Sequence, residues 1–161
     1  MTVLGIDPGR DKIGWALTGS ERDLFLSGIC PVSEGEVFIT ALARGASHWE
    51  DELSPWVTEE AGSRASRAEK LALVAVGNGT GSREAVKLFG RLGVQLVVVD
   101  ESGTTLEAQK LYWSLHFPSL WQRCLPGFLR FPPRPLDDLA AWAIAKRSLT
   151  EEFCLRRVSV S

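Results

Sequence analysis

Two short apolar runs, Val3 to Asp7 and Lys12 to Thr18, flank Pro8-Gly9-Arg10-Asp11 near the start of the chain, a pattern that predicts strand, tight turn, strand. Leu24 to Val32 supplies a third strand. From Glu34 to about Ser54 the apolar residues Phe38, Ala41, Leu42, Trp49 and Leu53 recur at helical spacing, which predicts the longest helix of the chain. Thr58 to Lys70 is polar, charged and rich in small residues, and reads as a loop. Leu71 to Val76 is a continuous apolar run, followed by Gly77-Asn78-Gly79-Thr80-Gly81 and a helix capped by Ser82, with Ala85, Leu88, Phe89 and Leu92 on its buried face. A second buried strand, Val94 to Val99, precedes a helix that Thr104 and Glu107 open as a capping box.

Uninterrupted apolar strands alternating with helices imply parallel pairing with helices covering the sheet. Leu120 to Pro135 then breaks the alternation as a long proline-rich connection. Pro135 and Leu136 start a last helix, Asp137 to about Leu149, whose alanines at 140, 141, 143 and 145 permit close approach to the sheet. Residues 150–161 read as a tail or frayed edge strand. An antiparallel group followed by parallel units gives a mixed α/β sheet with helices on both faces.

The 161 residues fit one domain spanning 1–161, and 45% hydrophobic with 24% charged residues is the composition of an ordinary globular protein. No run approaches the ~20 apolar residues of a membrane span, and the N-terminus lacks a secretory pattern, so a cytoplasmic protein is expected. Cys30, Cys124 and Cys154 are odd in number and widely spaced, and read as reduced core thiols. Eighteen Lys plus Arg against twenty Asp plus Glu leave a net charge of -2, so any affinity for nucleic acid must come from local patches.

Carboxylates at the ends of core segments are the candidate chemistry. Asp7 closes the first strand, where an unpaired charge costs several kcal/mol of desolvation. It either accepts N–H bonds from the Pro8-Gly9 corner or serves a functional role. Glu101 closes a second buried strand, at the strand end where α/β sheets bind ligands. Asp137 and Asp138 occupy the first turn of the last helix, a place the helix dipole favours on its own. Together these acids form an oxygen-only set suited to Mg²⁺ or Mn²⁺, and two such cations would activate water against a phosphodiester.

The same residues carry a family resemblance. Gly5-Ile6-Asp7-Pro8-Gly9, continuing through Lys12-Ile13-Gly14-Trp15-Ala16, resembles the first-strand motif of RuvC-like resolvases and YqgF-type nucleases of the RNase H-like superfamily. Asp100-Glu101-Ser102-Gly103-Thr104-Thr105-Leu106-Glu107-Ala108 resembles the YqgF block D-E-x-x-T-T-x-E-A, and Asp138-Leu139-Ala140-Ala141-Trp142-Ala143-Ile144 is similar to the closing helix. The resemblance implies a five-stranded RNase H-like sheet, a metal-dependent endonuclease acting on Holliday-type junctions or ribosomal RNA precursors, and metal-binding acids at Asp7, Glu101 and Asp138, with Asp137 the rival for the third place. It also implies a nucleic-acid partner and either a monomer or a homodimer.

Two departures stand out. Ser102 replaces the usual Arg, and Gly77 to Arg83 looks like the YqgF-like domain of the Tex transcription proteins, which implies the alternative of an inactive nucleic-acid-binding module. For substrate contacts, Arg10 and Lys12 lie beside Asp7, and Arg83 follows a glycine-rich turn whose N–H groups suit an anion. Trp121 to Arg134 interleaves aromatics with Arg123, Arg130 and Arg134, a composition suited to stacking bases and following a phosphate backbone, or to packing the connection on the core. His48 and His116 read as surface or packed residues.

Overall fold

The computed structural model describes residues 1–19, 23–60 and 69–158, with the backbone alone for Phe128 and residues 151–158. Strands β1 (Thr2–Pro8), β2 (Lys12–Gly19) and β3 (Leu24–Pro31) form the predicted antiparallel meander. β5 (Leu71–Gly77) and β6 (Gln95–Val99) continue the sheet in parallel on the far side of β1. The mixed sheet has six strands, one more than the five expected. β4 (Val57–Glu60) pairs antiparallel with β3, making the order β4-β3-β2-β1-β5-β6. The loop expected from Thr58 onward is therefore strand as far as Glu60; residues 61–68 lie outside the described part.

Side-chain alternation sorts the sheet into two faces. Leu4, Ile6, Ile13, Trp15, Leu17, Val74 and Val76 pack under α1 (Gly35–Ala43), α2 (Trp49–Glu52) and α3 (Ser82–Phe89), where Trp15, Phe38, Trp56 and Phe89 meet ring to ring. The opposite parity, including Val3, Gly5, Gly14, Ala16 and Ala75, faces α4 (Thr104–Leu115) and α6 (Asp137–Val158). Between those helices, α5 (Leu120–Arg123) is a single turn within the irregular connection.

α6 lies directly on the sheet. A Cβ on Gly5 would overlap the carbonyl oxygen of Ala141, and one on Gly14 would overlap that of Asp137. Glycines below and alanines above thus remove the side-chain layer that ordinarily separates helix from sheet.

Several local expectations are corrected. The long helix over 34–54 is broken after Ala43, because Gly45 takes φ 97°, and Trp49 folds back to donate its indole N–H to the Leu42 carbonyl. α6 is the longest helix instead, and it continues through the segment expected to be a tail or edge strand to Val158. Gly81 and Gly103, not Ser82 or a Thr104–Glu107 box, cap α3 and α4; Thr104 donates to the Glu101 carbonyl and Glu107 accepts from Arg147. Cys30 is buried and its thiol is pushed up to about 12 by burial and by Glu34, whereas Cys124 is exposed. Cys154 has no described side chain. Trp15, Trp49 and Trp142 are core residues as expected, with Trp113 half-buried. No described helix is long and apolar enough to cross a membrane.

Candidate functional site

Strand parity decides where Asp7 points. It follows Val3 and Gly5 on the α6 face, and its cross-strand partner is Gly14. Because Gly14 lacks a side chain, the backbone of Asp137 settles on it, and the first residue of α6 arrives beside Asp7. Asp7 and Asp137 line one cleft of about 160 Å³ with Thr105, Ala108, Leu136 and Ala140. Burial, then Asp137, then Glu101 raise the Asp7 carboxyl from its ordinary 3.8 to about 7, opposed by Lys12. Lys12 Nζ donates to Asp137 Oδ2 at 2.7 Å, so one cation already stands at the cleft.

Glu101 is carried by the turn after β6. Its carboxylate lies over the glycine-rich turn after β5: a Cβ on Gly77 or Gly79 would stand 2.7 Å from Glu101 Oε2. That buried oxygen has no hydrogen-bond partner. Asn78 accepts from the Glu101 backbone N–H at 3.1 Å and donates its own N–H to the Val99 carbonyl at 3.0 Å. From α6, Arg147 Nη1 donates to the carbonyls of Asp100 and Ser102 at 2.7 and 2.9 Å, clasping Glu101 from both sides. Ser102 serves Asp100, whose carboxyl is held down by the backbone N–H and hydroxyl of Ser102.

Asp138 does not join this group. One residue further along α6 it turns about 100° away and is wholly buried against β3 and β4. Arg134 grips it through two nitrogens at 2.8 and 3.2 Å, and Ser27 and Thr58 donate to it at 2.9 and 2.7 Å. Arg134 also reaches Glu59 at 2.6 Å and lies 5.6 Å from the Tyr112 ring centroid. Arg134, expected to contact nucleic acid, has its guanidinium ion-paired to Asp138 and Glu59 with its side chain half-buried. His116 is packed, stacked on Tyr112 and 2.7 Å from Glu59, while His48 is exposed.

Of the other basic residues, Arg10 is exposed on a separate cleft of about 310 Å³ between the β1–β2 turn and the start of α3. Arg83 is exposed on the first turn of α3. Arg130 donates to the carbonyls of Leu125 and Arg123.

Hard oxygen donors, an orphaned buried carboxylate oxygen and a carboxyl pushed toward neutrality by burial and by neighbouring acids suit a divalent cation. Among the described residues, however, no three acidic, histidine or cysteine groups converge closely enough to form a complete ion cage. Sequence reasoning missed Asn78, Arg147, Ser27, Thr58 and Glu59. Only the Arg134–Asp138 pair carried a local signal, its four-residue spacing at the start of a helix.

No protein-family model matches this chain, and no curated protein does. Among solved structures, it is similar to Thermus thermophilus RuvC in complex with a Holliday junction substrate, at 19% identity over 98% of this chain and 96% of that one, with a TM-score of 0.45. A structure of T. thermophilus RuvC gives 18% identity over the same shares and a TM-score of 0.46. A ROK family glucokinase from Streptomyces griseus, in complex with glucose and AMPPNP, matches at 14% identity over 68% of this chain and 36% of that one, with a TM-score of 0.37.

Proposed function

We propose that this chain is a metal-dependent endonuclease that hydrolyses phosphodiester bonds in structured nucleic acid, with Asp7, Glu101 and Asp137 as its working acids. The observation that carries the reading is the crowding of Asp7: a carboxylate at the end of the central strand, pushed to about 7 by burial and by two acids from distant parts of the chain.

Asp7 and Asp137 would hold Mg²⁺ or Mn²⁺ between β1 and α6, and Glu101 would complete the set with its unpartnered oxygen. A divalent cation at such a site supplies charge against the phosphate oxygens and makes bound water a nucleophile near neutral pH. Glu101 would bind the ion and help position the water. Lys12 offers a positive charge to an incoming phosphate at the rim of the cleft. Asn78 and Arg147 hold Glu101 in place, and Asp138 anchors the start of α6. The substrates we expect are branched DNA such as a four-way junction, or hairpin-rich RNA.

A second reading, binding of nucleic acid without cleavage, draws on the absence of a complete ion cage among the described residues and on the ion pair that Lys12 makes with Asp137. Purified protein incubated with a four-way junction, a flap, an RNA–DNA hybrid and a hairpin RNA, in Mg²⁺ and in Mn²⁺, separates the two. Cleavage abolished by Asp7→Asn supports the nuclease; binding with no cleavage on any substrate supports the module.

A further inference from the structure

Among the described residues, the exposed aromatic side chains lie on the connection between α4 and α6. Phe117 is fully exposed, Trp121 is 87% exposed and Phe131 67%, with Leu120 beside them at 79%. Such a group of apolar side chains on a protein surface marks a contact site. The segment is held in shape by its own bonds. Ser119 and Gln122 form a reciprocal capping box around α5, and Arg130 staples the return half to the carbonyls of Leu125 and Arg123.

Charge narrows the partner. No acidic residue occurs between Glu107 and Asp137, a stretch that holds Lys110, Arg123, Arg130 and Arg134, although the whole chain is net negative. Arg134 is neutralised internally; Arg123 is exposed, and among the described residues Arg130 donates to carbonyls, which leave its charge unbalanced. The segment leaves the far end of α4, about 18 Å along the helix from Thr104, and returns at Leu136, which lines the Asp7–Asp137 cleft.

We infer that this segment binds an unpaired strand of nucleic acid, with bases stacked on Trp121 and Phe117 and phosphates facing Arg123 and Arg130, and leads that strand toward the acidic cleft. The inference rests on the reading of the chain as a nucleic-acid-binding protein, which both functional readings share, and adds the form of substrate it grips. Stacking needs exposed base faces, which a continuous duplex does not offer.

The test is fluorescence anisotropy of the full chain, in EDTA, with a labelled oligothymidine and with a duplex of equal length. Trp121→Ala should weaken single-strand binding about fivefold or more while leaving duplex binding unchanged, Trp121→Phe should retain it, and Arg123→Ala should lower the salt slope by about one. Equal single-strand affinity in wild type and Trp121→Ala overturns the inference. So does a wild-type dimer that Trp121→Ala converts to monomer, which would make a second copy the occupant. Cleavage assayed in parallel with Mn²⁺ keeps the two readings apart. Trp121-dependent binding without cleavage leaves this inference standing and removes the nuclease; cleavage with Trp121-independent binding does the reverse.

Discussion

The carboxyl of Asp7 makes a pH prediction that needs no substrate. Its value in the folded chain, about 7, lies above its ordinary 3.8. Below about pH 3.8 both folded and unfolded chains hold the proton. As pH rises the unfolded chain releases it first, so the folded state loses stability between about pH 4 and 7, by at most about 4 kcal/mol and less where solvent screens the group. Asp7→Asn should therefore raise the melting temperature at pH 8 in EDTA and leave it nearly unchanged at pH 4. An equal shift at both pH values would contradict the crowding of this acid. Gly79 offers a second test. A methyl group there would push into the Glu101 carboxylate, so Gly79→Ala should impair cleavage much more than it lowers thermal stability. Asp7 and Glu101 stand out in the sequence because each follows an apolar run of strand length. The choice between Asp137 and Asp138 does not, because adjacent positions on a helix face about 100° apart and α6 is covered on both of those sides.

Among the elements, α6 joins the chemistry to the frame. Its first residue faces the acidic cleft, its second is locked to Arg134, Ser27 and Thr58, and Arg147 reaches back to the Glu101 turn. Asp138→Ala would leave the half-buried Arg134 with Glu59 as its one carboxylate and leave Ser27 and Thr58 without their acceptor, and chemical denaturation should show a loss of about 2 to 3 kcal/mol. Asp137→Asn should change stability little, since the partner it loses, Lys12, is substantially exposed. The reverse order would mean that the two acids exchange roles. Helix periodicity between Glu34 and Ser54 was read correctly as helical, but the break at Gly45 was not, because a glycine at positive φ looks in sequence like any other glycine in an apolar pattern. β4 escaped notice for a different reason. It is four residues long, flanks a polar stretch and buries little of its own surface; its place comes from pairing with β3 and from Thr58 and Glu59 meeting Asp138 and Arg134.

At the scale of the whole molecule, the strand alternation was enough to foresee a meander followed by parallel strands between helical layers, because apolar runs and turn residues encode both period and direction. The glycine-on-alanine contact that lets α6 lie on the sheet was half legible, in the alanines alone. Its functional consequence depends on Gly5 and Gly14, which only the register places under Ala141 and Asp137. The meeting of β1 with the start of α6 is what brings Asp7 and Asp137, far apart in sequence, to one cleft. The most direct test of that junction is the rate of cleavage of a four-way DNA junction and a hairpin RNA in Mn²⁺ by the wild type, Asp137→Asn and folded Asp138→Asn. The account predicts metal-dependent cleavage by the wild type, a loss of at least about 100-fold in Asp137→Asn, and retained cleavage in Asp138→Asn. Undiminished cleavage by Asp137→Asn, or no cleavage of either substrate by the wild type, would contradict it.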